Sequence, residues 1–304
     1  MPASKIRPDY LKRGDEVMIV SPAFCIDRDK LDAAVEYLGK WGLKARVGKN
    51  AAKRYGPFAG TDAERLEDLQ EATGNPDIKA VICSRGGYGV SRIIDRVDFT
   101  SLRNNPKWYV GFSDITVLHL WLSELHGLMS VHGAMPLHFN DPEKTKSTFS
   151  TLKQALFGNL EKISWKGDFF RINDTEGEIT GGNLSLFYSL IGTAAEPDTK
   201  GKILFIEEVG EYFYHVDRML TSLKLAGKLQ GLAALVVGGM NRIESTSIPW
   251  GRSVEETIMD IVGEYDYPVL FGFPAGHVND NRAFYFGRQS AIRIQGNKAV
   301  LSFE

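Results

Sequence analysis

Short strand-like runs that alternate with amphipathic stretches constrain the first half of this chain more than any other feature. The runs lie at 16–23, 44–47, 80–84 and 108–111, and helical spacing of apolar residues occurs at 29–41, 63–72, 90–95 and 115–125. Runs that are apolar throughout and separated by helices are typical of a parallel sheet that is covered on both faces. The sequence therefore predicts an N-terminal doubly wound α/β domain.

The second half predicts an α/β domain that also contains antiparallel strands. Strands are expected at 202–207, 233–238 and 268–272, helices at 216–225 and 255–262, and a hairpin at 291–303 around Gly296-Asn297. A polar, irregular stretch from about Phe157 to Glu176 separates the halves. A length of 304 residues also favours two domains. We expect an N-terminal domain at 1–160, a linker at 161–175 and a C-terminal domain at 176–304.

Composition argues against several classes of protein. The 36 basic and 38 acidic residues give a net charge of −2 without long runs of one sign, which does not favour binding to nucleic acid or to a membrane surface. Met1–Tyr10 has no apolar stretch of the kind found in a secretory signal. Cys25 and Cys83 are too few for a disulfide framework and fit reduced thiols. The expectation is a soluble, cytoplasmic protein.

Ser113 lies where the fourth predicted strand gives way to a helix. Open α/β sheets bind their ligands at the carboxyl ends of the strands, and the first amides of a helix point toward negative charge. When a serine on such a turn is the nucleophile, backbone amides of the same turn form part of the oxyanion hole. The alternative is that Ser113 only caps the helix. The Gly-x-Ser-x-Gly motif is absent, because position 115 is isoleucine.

Two glycine-rich segments could contact a ligand. Ser84-Arg85-Gly86-Gly87-Tyr88-Gly89 follows the third strand, and glycines at such a position allow close approach of the backbone. A phosphate-binding loop lacks its Walker lysine here, and a tight turn remains an alternative. Gly181-Gly182-Asn183 is interpreted as a second glycine turn with a polar contact, or simply as a loop.

A serine nucleophile needs a base, and the base needs an orienting acid. His277 lies in a glycine-punctuated loop after a predicted strand, which suits a functional side chain, while His132 and His138 remain alternatives. Glu207 and Glu208 end another apolar strand, where buried carboxylates are costly unless they are paired or solvated. No HExxH motif, paired cysteines or closely spaced histidines indicate a metal. We expect neither a metal nor another cofactor.

The order of these motifs along the chain resembles the LD-carboxypeptidase family, which includes the muramoyltetrapeptide carboxypeptidases and the microcin C self-immunity peptidases. The resemblance runs from about Lys12 to the C-terminus. The motifs that carry it are Ser-Arg-Gly-Gly-Tyr-Gly at 84–89, Gly-Phe-Ser-Asp at 111–114, Gly-Gly-Asn-Leu at 181–184, Leu-Phe-Ile-Glu-Glu at 204–208, Asp-Arg-Met-Leu at 217–220 and Gly-His at 276–277.

This resemblance implies a Ser-His-Glu triad, with the serine on the N-terminal domain and the other two residues on the C-terminal domain. Ser113 would be the nucleophile, His277 the general base and Glu207, rather than its neighbour Glu208, the orienting acid. The oxyanion hole would consist of two backbone amides, those of Gly87 and Asp114. Three residues would contact the substrate: Arg85, Gly86 and Asn183. Arg85 is the candidate ligand of a terminal carboxylate, because a guanidinium pairs bidentately with a carboxylate.

The resemblance also implies a substrate, namely cytoplasmic murein tetrapeptides that end in D-alanine and are processed during cell-wall recycling, and it suggests a homodimer. The microcin relatives instead imply cleavage of acyl-nucleotide or peptidyl-nucleotide conjugates. A non-catalytic protein that binds small ligands is a hypothesis of another class. An amidotransferase-like enzyme is a weaker one: the N-terminal domain resembles such folds, but their chemistry uses a cysteine at the turn, where this chain has Ser113.

Overall fold

The computed structural model describes residues 5–139, 141 and 143–304, so the first four residues of the segment Met1–Tyr10 lie outside the described residues. The strands are β1 Glu16–Val20, β2 Lys44–Val47, β3 Ile78–Cys83, β4 Trp108–Gly111, β5 Ser130–His132, β6 Lys162–Lys166, β7 Phe169–Phe170, β8 Thr175–Asn183, β9 Ile203–Val209, β10 Ala234–Asn241, β11 Val269–Leu270, β12 Phe284–Phe286, β13 Gln289–Gln295 and β14 Lys298–Phe303. The α-helices are α1 Arg28–Lys40, α2 Asp62–Gly74, α3 Thr116–His126, α4 Lys146–Phe157, α5 Leu184–Ser189, α6 Phe213–Leu225 and α7 Val254–Val262. Within the described ranges, no helix is both long enough and apolar enough to span a membrane.

The chain forms two compact units. Unit one comprises Met1–Leu160 and Asn279–Phe286, and unit two comprises Glu161–Val278 and Gly287–Glu304. The stretch 161–175, predicted as an irregular linker, instead contains β6 and β7. In β6, exposed and buried residues alternate, and the strand pairs with β14 near the end of the chain. A strand whose partner is this distant in sequence and whose exposed positions are polar is easily mistaken for a loop.

Unit one is built on a six-stranded sheet in the order β12-β5-β4-β3-β1-β2. The five strands from β2 to β5 are parallel, and only β12 runs antiparallel to its neighbour. This order of parallel strands is a doubly wound arrangement, which confirms the predicted fold class. The stretch 90–95, predicted as helical, forms two short 3₁₀ turns instead, Val90–Arg92 and Ile94–Arg96.

The loops that follow β1 and β3 meet at the point where the strand order reverses. Because β1 and β3 are parallel neighbours, their carboxyl ends lie at the same edge of the sheet. The Ser21 and Ser84 hydroxyl oxygens are 2.6 Å apart, and the Phe24 amide donates to the Gly86 carbonyl at 3.4 Å. The glycine-rich loop therefore leaves β3 at the position where doubly wound domains bind ligands.

Unit two contains an eight-stranded mixed sheet in the order β6-β14-β13-β8-β9-β10-β11-β7. The four strands β8 to β11 are parallel, whereas β13, β14, β6 and β7 contribute antiparallel pairs. The predicted C-terminal α/β domain with antiparallel strands is thus confirmed. The final hairpin, β13 to β14, turns at Gly296-Asn297 as expected.

Gly181 and Gly182 lie within β8 rather than in a turn, which corrects the interpretation of this motif. Both have positive φ angles, 119° and 140°. A Cβ atom on Gly181 would lie 1.9 Å from the carbonyl oxygen of Phe205 in β9. Gly181 therefore allows β8 to approach β9 closely, a role that sequence cannot distinguish from that of a glycine in a turn.

Candidate active site

Ser113 occupies a strained turn at the carboxyl end of β4. Its φ angle of 65° is one of only three positive values among the described non-glycine residues. A non-glycine residue in this region costs about 1–3 kcal/mol, and such strain is concentrated at functional sites. The N-cap position of the 3₁₀ turn Ser113–Ile115 is Phe112, so Ser113 is not its capping residue. The turn presents a half-exposed serine just before α3, as in a nucleophile elbow.

The glycine-rich loop packs directly against this serine. A Cβ atom on Gly86 would lie 2.8 Å from the Cβ of Ser113, 2.9 Å from its Oγ and 3.3 Å from the amide nitrogen of Asp114. Only glycine permits this approach without a shift of the neighbouring atoms. Gly87 follows in an exposed position with a φ angle of 109°. Within unit one, the loop backbone therefore lies beside both Ser113 and the first amide of the turn.

Arg85 begins this loop and is half-buried. Its Nη1 atom donates to the carbonyl oxygen of Cys25 at 2.9 Å, and its guanidinium carbon lies 5.9 Å from the centre of the Phe24 ring. These two contacts orient the guanidinium beside the loop that touches Ser113. The planar guanidinium group has five N–H donors, and the hydrogen bond to Cys25 uses only one of them.

Unit two contains a carboxylate–imidazole pair. His277 Nδ1 lies 2.7 Å from Glu207 Oε2, and the backbone amide of His277 donates to the same oxygen at 3.2 Å. Glu207 is fully buried at the end of β9, whereas the His277 side chain is 24% exposed. A Cβ atom on Gly276 would lie 2.7 Å from this carboxylate, so a glycine is needed before the histidine. The carboxylate fixes the orientation and the tautomer of the ring.

Glu208 points to the other side of the sheet, because successive side chains of a strand alternate. Its carboxylate accepts from Asn183 Nδ2 at 2.8 Å and from the amides of Ser185 and Val209 at 2.8 and 2.9 Å. Burial raises its pKa, and the nearby Glu207 adds to this effect. Glu208 therefore contacts the first turn of α5, while Glu207 contacts the imidazole.

Asn183 ends β8 and caps α5. Its Oδ1 atom accepts from the Ser185 hydroxyl at 2.8 Å and from the Leu186 amide at 3.3 Å. In the register of the two parallel strands it pairs with Glu207. The side chain is almost fully buried, and it connects the capped helix to the strand that bears the acidic pair.

The remaining histidines have other surroundings. His119 lies 2.8 Å from the Ser130 hydroxyl and 2.9 Å from the Gly111 carbonyl, and burial lowers its pKa to about 4. His132 stacks on an aromatic ring and lies 2.9 Å from Asn281. A second carboxylate–imidazole pair, which the sequence analysis missed, joins Glu211 to His215 at 2.5 Å. Its i, i+4 spacing was the only signal in the sequence.

Each unit thus brings together part of the predicted site. Unit one holds Arg85, Gly86, Gly87, Ser113 and Asp114, and unit two holds Asn183, Glu207 and His277. In the part of the chain that the structure describes, no group of three or more His, Cys, Asp or Glu side chains is arranged to hold a metal ion. The arrangement in unit one suits a serine nucleophile, and the arrangement in unit two suits a general base with its orienting acid.

Comparison with known proteins identifies the family. Residues 17–133 match the LD-carboxypeptidase N-terminal domain, and residues 176–292 match the LD-carboxypeptidase C-terminal domain. A probable murein peptide carboxypeptidase from Bacillus subtilis is 36% identical over 97% of this chain and 94% of its own length. The chain belongs to the LD-carboxypeptidase family of serine-type peptidases.

Solved structures agree with this assignment. The muramoyltetrapeptide carboxypeptidase from Oxalobacter formigenes is 30% identical and superimposes with a TM-score of 0.85, covering 95% of this chain and 98% of its own. The microcin C7 self-immunity protein MccF in complex with aspartyl sulfamoyl adenosine has a TM-score of 0.87 at 23% identity, covering 98% of each chain. At this level of identity, the similarity to MccF shows a shared fold.

The buried carboxyl group of Asp114 generates a prediction about pH. Burial raises its pKa from 3.8 to about 6. The folded state therefore binds this proton more tightly than the unfolded chain does, so the stabilisation is complete below pH 3.8 and is lost as the pH rises through about 6. Relative to Asp114→Asn, the wild-type protein should lose up to ~3 kcal/mol in its free energy of unfolding between pH 4 and pH 7. Urea unfolding at intervals across this range would measure the difference, and a constant difference would contradict the prediction.

Proposed function

We propose that this protein removes the terminal D-alanine from murein tetrapeptides, by hydrolysing the bond that follows the L-centre of a diamino acid. The contact between Glu207 and His277 carries the proposal, because an oriented imidazole is what a serine peptidase needs as its base. The strained turn at Ser113 and the adjoining glycine loop support the choice of nucleophile. The names of the Bacillus and Oxalobacter relatives support murein peptides as the substrate class.

In the proposed mechanism, Ser113 Oγ attacks the carbonyl carbon of the scissile bond and its proton passes to His277 Nε2. Glu207 stabilises the resulting imidazolium through Nδ1. The amides of Gly87 and Asp114 donate to the oxyanion. The imidazolium then protonates the leaving amine, so D-alanine departs and an ester remains on the serine. A water molecule, deprotonated by the same imidazole, hydrolyses this ester and regenerates the hydroxyl group.

The proposal is tested by incubating the purified protein, with EDTA present, with a tetrapeptide that ends in D-alanine and with its L-alanine diastereomer. Mass spectrometry should show loss of alanine from the D-form alone. Ser113→Ala should lower kcat by at least ~10⁴-fold, because it removes the nucleophile. Ser150→Ala, which alters an exposed serine in the same unit, should leave the rate unchanged.

Other outcomes would favour the competing functions. Cleavage of an aspartyl sulfamoyl adenosine conjugate, but not of either tetrapeptide, would favour the microcin-type substrate of the structurally similar protein. Binding of a tetrapeptide without cleavage, by a folded protein that does not react with an electrophilic serine probe, would favour a non-catalytic binding protein. Full activity of Ser113→Ala would remove this residue from the mechanism.

Arg85 is proposed to bind the free carboxylate of the terminal D-alanine, beside Gly86 and with Asn183 as a further contact. A charge-assisted pair of this kind contributes about 1.5–3 kcal/mol, so Arg85→Gln should raise KM by about 10- to 100-fold. Esterifying the terminal carboxylate of the substrate should remove this difference between wild type and variant. Arg28→Gln, which breaks an exposed ion pair with Asp32, is the matched control and should not change KM. An unchanged KM in Arg85→Gln would contradict the assignment.

Cytoplasmic location and a homodimer are part of the same proposal. Two free cysteines, one buried and one half-buried, are compatible with a reducing compartment. Sedimentation equilibrium should give about twice the chain mass of 33.8 kDa, and cell fractionation should recover the protein with cytosolic markers. A mass of 33.8 kDa at micromolar concentration would contradict the dimer, and recovery with periplasmic markers would contradict the location.

A further inference from the structure

Two buried charges lie behind the glycine-rich loop of unit one. Arg65, from α2, is 1% exposed, and Asp114 is fully buried. Taking a charged side chain out of water costs several kcal/mol unless its partners compensate. Arg65 is partly compensated, because its Nη2 atom pairs with Asp62 and its Nη1 atom donates to the Pro22 carbonyl. Arg65 Nε and Asp114 Oδ1, however, are both buried without a hydrogen-bond partner among the described residues, so the arrangement is not optimised for stability. A role other than stability would explain why both charges are present.

The two side chains hold opposite ends of one peptide group. Arg65 Nη1 donates to the carbonyl oxygen of Gly89 at 2.9 Å, and Asp114 Oδ2 accepts from the amide of Val90 at 2.9 Å. These two atoms belong to the single peptide unit that joins Gly89 to Val90. A cation at its oxygen and an anion at its N–H group match the peptide dipole, so both charges oppose rotation of this unit.

This peptide group needs such restraint because the loop has few side chains that could limit it. Gly87 and Gly89 have φ angles of 109° and 141°, which glycine adopts with little energetic preference. A Cβ atom on Gly89 would lie 2.6 Å from Arg65 Nη1, so glycine is also required for the guanidinium to reach the loop. The Gly89–Val90 peptide lies two residues after Gly87, so fixing it limits the conformations that the glycine-rich loop and the Gly87 amide can adopt.

Asp114 connects this restraint to the reacting centre. Its side chain fixes the end of the loop, while its own amide nitrogen lies beside Gly86 and follows Ser113 directly. Asp114 thus acts on both proposed oxyanion donors: it supplies one through its own N–H group, and it helps to position the other, the N–H group of Gly87. Burial raises the pKa of the Asp114 carboxyl group, and the nearby Arg65 offsets part of this effect. The pair therefore acts on the geometry of the amides rather than on the substrate.

We infer that Arg65 and Asp114 are positioning residues. They fix the Gly89–Val90 peptide and thereby orient the loop amides toward the oxyanion. The inference rests on the proposed role of Ser113 as nucleophile. Misplaced oxyanion donors slow the chemical step without weakening the binding of the substrate ground state. A residue with a purely structural role would instead lower the fraction of folded enzyme.

The test compares Asp114→Asn and Arg65→Lys with Asp68→Asn. Asp68 is a suitable control because it is also a buried carboxyl group of unit one, and its pKa is likewise raised to about 6, but it holds Asn50 instead of the glycine loop. Active-site titration would express each rate per functional site. Both test variants should lower kcat by about 10- to 100-fold and leave KM within about twofold, whereas Asp68→Asn should keep the wild-type kcat.

Acylation of Ser113 by an electrophilic serine probe gives a second readout that does not depend on the murein substrate. Both test variants should be labelled more slowly than the wild type, by about the same factor as their loss in kcat. Wild-type kcat and labelling rate in Asp114→Asn would overturn the inference and leave the proposed function intact. A wild-type protein that labels at Ser113 but cleaves no tetrapeptide would overturn the substrate alone. Absence of labelling in the wild type would overturn both.

Discussion

The parallel pairing of β3 with β4 is the constraint on which the site in unit one depends. It brings two strand ends to one edge of the sheet, so the loop after β3 and the turn after β4 become neighbours. Gly86 then packs against Ser113 at a distance that no other residue type would allow. The serine has its strained φ angle in the short turn between β4 and α3.

Buried carboxylates with specific partners occur in both units. Glu207 orients an imidazole, Glu208 accepts three hydrogen bonds near the start of α5, and Asp114 holds a loop amide. Each is costly to bury, and each has a partner that fixes its geometry. Preorganised groups of this kind need little rearrangement when charge develops during a reaction, which is the property that an acyl-transfer enzyme requires.

The sequence predicted the elements whose signal is local. Continuous apolar runs located β1, β3 and β4 of the first sheet and β9 and β10 of the second, and β2 and β4 have the predicted bounds. It missed β5, β6, β7 and β12, which are short, and the partners of β6, β7 and β12 are distant in the chain. It also missed β8, because Gly181-Gly182 is more typical of a turn than of a strand. Ser113 and the glycine loop could be found from strand-to-helix junctions, whereas the choice of Glu207 and His277 needed the family resemblance. Arg65 had no signal, since the peptide group that it holds lies 24 residues away.

The measurement that tests the central claim most directly is the rate at which an electrophilic phosphonate labels the intact protein, followed by mass spectrometry. The account predicts a single adduct on Ser113 in the wild type, slowed by at least ~10²-fold in both His277→Ala and Glu207→Gln, because the serine would lose its oriented base. Labelling of these two variants at the wild-type rate, or an adduct on another residue, would contradict the claim that Ser113, His277 and Glu207 act together.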